Sequence, residues 1–492
     1  MFMSDKNWST FHKYAVRVHF LRGPCRGIPP SIQRNVVAAL ARCSRASLPL
    51  LPNLTELVWN ESDTYSVIDP TVSLIKYLAG PRVANVSLFL VSWPIYASAR
   101  AVLADLPNIC PNVTSFTAIP RATLNDHSAD IGDIVSRWSN LRMLRTCALS
   151  QVVMDELASK ETLNTLSIEL NSCVADLCVK KLPTMVHTFS LEGSNALHCI
   201  RYLQTLHGNP TRFRLHVGLD VTLPSDMDTL FQMLPTRFDT TQLRRLTISL
   251  RSSFRSVLAL HSSFPLTEPL VASLYAFSSL VTLDMNAFCA SELDDAAYER
   301  MAGAWPELRS LKMGAADVTR VKPVASVGAV IAMLRSCPCL ETLHIVFDGA
   351  IPPPLPTTVL DVDEGTQRGE SAGSGEAEKV GVEGGRGRKK EGMTTGWARS
   401  WGISNQYITE IHVGHSPTGE DVEGLKNLAL CLRSVMPRLR RIQSMKDPLA
   451  VLDMFDMTES EGWQTVQRLL VENDMDLKDL ALKIDPPDDA PG

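Results

Sequence analysis

The run Gly414-His415-Ser416-Pro417-Thr418-Gly419 comes nearest to a chemical motif. A nucleophile elbow sets serine between two glycines as G-x-S-x-G. Here one residue too many separates Ser416 from Gly419. As a phosphate loop the glycine spacing is right, but Glu420-Asp421 stand where Lys and Ser or Thr are required. Acids there repel phosphate, so the run reads as a turn between a strand and its helix. His412 and His415 are three apart and Cys337 and Cys339 two apart, neither with a second pair at zinc-ligand spacing. Cys173 and Cys178 sit as C-x-x-x-x-C on an expected helix, which points the thiols in different directions, so packing is expected over ligation. His198 and Cys199 are adjacent, and adjacent side chains on a helix point apart. No HExxH occurs. No catalytic, cofactor-binding or metal-ligating residue is assigned, and no cofactor is expected.

The elements that would carry any site are more legible. A segment L-x-x-L-x-L, with other apolar residues sometimes replacing Leu, recurs along the chain. Clear copies begin at Leu54, Val83, Leu141, Leu163, Val186, Leu243, Leu280, Leu308, Leu340, Ile408 and Leu477. Weaker copies are Val113-Thr-Ser-Phe116, Phe213-Arg-Leu215-His-Val217 and Leu439-Arg-Arg-Ile442. Steps between the early copies run from 22 to 30 residues. Pro52, Pro111, Pro306, Pro338 and Pro437 each stand two residues ahead of a copy. A proline there stops the preceding helix and leads the chain into an extended segment. The alternation in L-x-L reads as a strand with one face buried, and a strand so short needs stacked neighbours. Between the strands lie helix-like stretches: Ile95 to Leu106, ended by Pro107; Ser291 to Trp305, with a serine cap; and Asp421 to Met436. In the last of these, Val422, Leu425, Leu428, Ala429 and Leu432 share a stripe.

The expected fold is therefore α/β, an irregular leucine-rich-repeat solenoid with parallel strands on the concave face and helices on the convex face. Residues 1–50 are expected to form N-terminal capping helices, with Trp8, Phe11, Tyr14 or Ala15, Val18 and Leu21 on one stripe. Repeats fill 51–348 and resume over 396–485, and 486–492 is a tail. Between them, 349–395 is rich in Pro, Gly, Glu and basic residues and cannot bury enough surface to order, so it reads as a disordered insertion. Its cluster Arg386-Gly-Arg388-Lys389-Lys390 is either a solvated linker or a nuclear import signal.

Composition narrows the function classes. Lys and Arg total 48 against 53 acids, a net charge of −5, so no general nucleic-acid affinity is expected. The longest charge-free stretch, Val83 to Ala99, is shorter than a membrane span. Eleven cysteines, most in apolar runs and without a secretory leader in the sequence given, fit a reducing compartment. The expected location is intracellular, in cytoplasm, nucleus or both.

The P-x-L-x-x-L-x-L units resemble the irregular leucine-rich repeats of F-box proteins. The stretch Trp8-Ser-Thr-Phe11-His-Lys-Tyr14-Ala15-Val-Arg-Val18, with Leu50-Leu51-Pro52-Asn53-Leu54 and its strand after it, resembles the segment following the F-box in basidiomycete fungal members. The resemblance implies a substrate-binding repeat array. It implies a cullin-type ubiquitin-ligase adaptor as partner only where an F-box lies upstream; only seven residues precede Trp8 here.

Positions alternating with the buried strand residues would form the recognition face. These are Glu56, Arg145, Glu169, Glu192, Arg214, His216, Arg245, Asp284, Lys312, His344, Glu410 and His412. Their mixed signs suit a protein partner better than a phosphate backbone. The expected function is a non-enzymatic protein-recognition scaffold. The alternative is an enzyme or catalytic regulator with its site in the repeat array.

Overall fold

The computed structural model describes residues 5–23, 49–60, 74–90, 97–120, 128–170, 180–218, 222–251, 264–314, 321–351, 403–419, 421–444 and 462–471. The strands are β1 (Phe20–Gly23), β2 (Glu56–Asn60), β3 (Asn85–Leu90), β4 (Ser115–Pro120), β5 (Met143–Cys147), β6 (Thr165–Leu170) and β7 (Thr188–Gly193). They continue as β8 (Arg212–Gly218), β9 (Arg245–Arg251), β10 (Thr282–Met285), β11 (Ser310–Met313), β12 (Thr342–His344), β13 (Glu410–Gly414) and β14 (Arg441–Ser444). Their order in the sheet is their order in the chain, and every pairing is parallel. Helices between the strands pack on one another in sequence, as 97–109 does on 128–136 and 295–304 on 327–336. This is the solenoid the repeats predict. At ~4.8 Å per strand the sheet is about 60 Å long.

Each motif position has one task. The leucines of L-x-x-L-x-L are fully buried, as with Leu243, Leu246 and Ile248, or Leu308, Leu311 and Met313. The carbonyl of the second position accepts two N–H groups from the next repeat. Arg244 O takes Val281 N at 2.7 Å and Thr282 N at 3.0 Å; Arg309 O takes Glu341 N and Thr342 N. The same pattern recurs at Thr55, Ala84, Thr114, Arg142 and Asn164, so one backbone ladder runs from repeat to repeat. The weaker copies at Val113 and Leu439 occupy the same register as the clear ones, while Phe213 and Leu215 take the fourth and sixth motif positions beside Phe189 and Leu191.

The prolines act where they were expected to. Helices end at Ile109, Ala304, Ser336 and Val435, two residues before Pro111, Pro306, Pro338 and Pro437. The residue between is pushed out of the helical region, with φ/ψ of −127/63° at Trp305, −116/72° at Cys337 and −129/74° at Met436. Its carbonyl then accepts the N–H of the first motif leucine, at 3.1 Å for both Leu308 and Leu340 and 2.9 Å for Leu439. Proline thus sits second in a turn that aims the chain into the strand.

Several expectations need correction. Pro107 lies inside the helix Ala97–Ile109 and does not end it. Burial of Leu106 and Cys110 and the bond from Cys110 N to Leu106 O, 2.7 Å, carry the helix past it. Ser291 is not the cap of its helix; Asp294 is, accepting from Ala297 N at 2.7 Å. Val422 opens its helix but is exposed. The N-terminal helix stops at Ala15, and Val18 and Leu21 belong to the approach and body of β1. Their three-residue spacing fits a helix stripe and L-x-x-L equally well. Ala15 faces the core and Tyr14 is exposed. The repeat also extends to Ile351, since Gly349 N donates to Pro417 O at 2.9 Å and Ile351 N to Asp348 O. The copy at Leu477, the Cys173/Cys178 pair, Arg386–Lys390, 352–395 and the tail 486–492 lie outside the described residues.

Candidate interaction face

The twelve predicted face residues all lie on the side of the sheet opposite the helices, because their strand neighbours take the buried places. Register sorts them into three rows across the strands. The first row holds Glu56, Arg245 and Glu410. The middle row holds Arg145, Arg214, Asp284, Lys312, His344 and His412. The third holds Glu169, Glu192 and His216.

The rows contain distinct groupings. On β5 to β9, Arg145 reaches Glu169 at 3.5 Å and Glu192 at 3.1 Å, while Arg251 pairs with the other oxygen of Glu192. Such half-exposed pairs contribute roughly 0–1 kcal/mol each, so they set the local charge pattern more than the stability. Beside them His216 Nδ1 bonds Ser249 Oγ. Burial, then the charges of Arg214 and Arg145, hold its pKa below the ordinary value. On β10 and β11, Lys312 lies 3.8 Å from Asp284. On β12 and β13 the rings of His344 and His412 stack, with centroids 4.9 Å apart. Burial, then His412 and Lys312, push His344 down to about 4. His412 is also lowered, by burial, with Glu410 opposing.

Sequence reasoning passed over Arg212, Ser249 and Arg251 on this face. The copy read at Phe213 starts one residue after Arg212, and the copy at Leu243 ends at Ile248, ahead of Ser249 and Arg251, whereas β8 and β9 each run for seven residues. It also passed over β1, although Val18-x-x-Leu21 is a copy in register with Leu54 and Leu57. Gly23 disguises it, standing opposite the large Trp59, whose ring lies 3.3 Å from where a β-carbon would be.

Of the runs with possible chemistry, the one from Gly414 has a clear structural part. Gly414 has φ +56° and ends β13, and Ser416 is buried. Ser416 Oγ donates to Val413 O at 2.5 Å and accepts from Phe347 N, and its carbonyl takes Trp463 Nε1 at 2.6 Å. That serine pins two repeats together. Cys110, Cys199, Cys337 and Cys431 are buried, which pushes each thiol up to about 12 and keeps it protonated. His198 Nδ1 meets Ser194 Oγ at 2.8 Å, a hydroxyl–imidazole pair. Burial, then the charge of Arg201, lowers the basicity of that ring, and among the described residues no carboxylate bonds its other nitrogen. Among the described residues no group of three or more His, Cys, Asp or Glu could hold a metal ion. None of the described helices is long and apolar enough to cross a membrane.

No family model and no curated protein matches the sequence. Among solved structures, the leucine-rich repeat-containing protein LegL7 from Legionella pneumophila is 15% identical, over 59% of this chain and 89% of that one, with a TM-score of 0.34. Rad7, in its complex with Elc1 in yeast, is 13% identical over 69% and 88%, with a TM-score of 0.26. The TLR13–ssRNA13 complex matches at 10% identity over 80% and 56%, with a TM-score of 0.28. The solenoid assignment stands on the order and register of the sheet.

Proposed function

We propose that the chain is a non-enzymatic protein-recognition scaffold whose concave sheet face binds a protein partner inside the cell. One observation carries the reading: a single continuous parallel sheet presents charged and polar side chains in rows across one side. A face about 60 Å long offers ample area for a specific protein contact. Catalysis would need a nucleophile, base or metal cluster converging at one point, whereas these groups are spread along the array. The finer reading, on the resemblance of the Trp8 segment and the repeats, is the substrate-binding half of a fungal F-box-type protein.

The test is substitution by face. Lys312→Glu and Arg214→Glu reverse charges on the sheet; Glu161→Lys and Glu299→Lys do so at exposed positions off it. Partner proteins crosslinked by the unaltered chain should be lost with the first pair and kept with the second. Equal effects from both pairs would overturn the reading. The ligase link is tested by reading the genomic sequence upstream of Met1 for an in-frame F-box.

A further inference from the structure

Strands β8 and β9 carry four exposed arginines on the open face, and three of them, Arg212, Arg214 and Arg245, lie at the end away from the Arg251–Glu192 pair. Arg212 and Arg245 are register partners, and Arg214 stands two residues along β8. Two like charges on adjacent strands at one register repel each other. The nearby acids are engaged elsewhere: Glu169 with Arg145, and Glu192 with both Arg145 and Arg251. Among the described residues no carboxylate pairs with Arg212, Arg214 or Arg245. His216 lies next along β8 with Glu192 as its register partner, and burial first, then the charges of Arg214 and Arg145, lower its pKa.

We propose that Arg212, Arg214 and Arg245 dock an extended acidic peptide segment of the partner protein, carrying carboxylates on alternate residues. An extended chain repeats its same-side groups every two residues, about 6.8 Å, which is the separation of Arg212 and Arg214 along one strand. Each guanidinium presents a planar fork matched to a carboxylate. A nucleic acid fits worse. Its phosphates continue past the triad in both directions across the sheet, where Glu169 and Glu192 lie on one side and Asp284 on the other. A short acidic segment lying along β8 over Arg212 and Arg214 meets the arginines before it reaches His216 and Glu192. The inference rests on the recognition reading above and names the chemistry of the partner.

The probe is a fluorescein-labelled peptide of four Glu-Ser units, titrated against the full chain by anisotropy. Four Gln-Ser units and an eight-residue oligothymidylate serve as comparisons. The Glu-Ser peptide is expected to bind and to weaken about tenfold with either Arg212→Ser or Arg214→Ser, the loss of one charge-assisted contact. The Gln-Ser peptide should bind weaker by at least that factor. The thermal midpoint of each variant should hold or rise, because like-charge repulsion is relieved. NMR titration of His216 should show its pKa rise when the acidic peptide is present. Binding unaffected by both substitutions would overturn the proposal. So would oligothymidylate binding more tightly than the peptide through the same arginines. The two readings fail differently. A crosslinked partner lost with Lys312→Glu but kept with Arg212→Ser overturns the triad and leaves the scaffold; a partner indifferent to every sheet-face substitution overturns the scaffold itself.

Discussion

The charged neighbours of His344 are His412, stacked against it, and Lys312, and neither stabilises a proton on its ring. Its Nδ1 is buried and has no hydrogen-bond partner among the described residues. The folded chain therefore holds His344 neutral down to about pH 4, while the unfolded chain binds a proton near pH 6.5. His198, His216 and His412 are displaced in the same direction. Between these values the unfolded state binds more protons, so stability is fully present above the unfolded pKa and declines as pH falls toward the folded one. Urea denaturation at pH 7.5 and pH 5 should show a lower midpoint at pH 5, and His344→Gln should shrink the difference. The same drop in both proteins would show that His344 is not its source. The facing of these side chains was legible because a strand alternates. Their protonation was not, since it depends on which strand lies beside which. His344 and His412 are neighbours only because β12 and β13 pair across residues 352–402.

At the scale of elements, the first helix and β1 show what a three-residue spacing can and cannot say. Trp8, Phe11 and Ala15 face inward on the helix, and the same spacing continues through Val18 and Leu21 into a strand. Nothing in the hydrophobic pattern marks the change. What fixes it is the next repeat: Thr55 N and Glu56 N both donate to His19 O, and Asn53 Nδ2 reaches Val16 O at 2.7 Å. The helix is thus held against one end of the sheet, where a terminal repeat would otherwise leave its apolar edge open. Trp8 is buried, its ring edge-on to Phe11 and stacked on His12. Trp8→Ala should cost about 3 kcal/mol, the lower end for a buried aromatic. Chemical denaturation followed by far-UV circular dichroism measures this. An unchanged midpoint would mean that the helix contributes nothing to the cap. Proline-led turns, by contrast, were readable outright, because proline acts on its own backbone and on the residue before it.

At the scale of the whole molecule, stability in a stacked array is close to a sum over repeats and their contacts, so a break at one junction can split the cooperative unit. The junction most at risk is β12 to β13. It is closed from both sides. Before the gap, Ile345 N donates to His412 O, Phe347 N to Ser416 Oγ and Gly349 N to Pro417 O. After it, buried Asn405 donates from Nδ2 to Leu340 O at 2.9 Å and accepts from the N–H groups of Tyr407 and Ile408. These bonds join the two repeats without using any residue from 352 to 402. Residues 356–395 carry few large apolar side chains, Val359, Leu360, Val362, Val380, Val382 and Met393, and no aromatic one. Exchanging 356–395 for eight Gly/Ser residues should therefore keep one calorimetric transition. It should raise stability by about 1 kcal/mol or less, since loop closure costs only ~0.6 kcal/mol per doubling of length. Two separate transitions would show that the replaced residues couple the two sides. A single transition at a clearly lower temperature would show that they pack on the repeats.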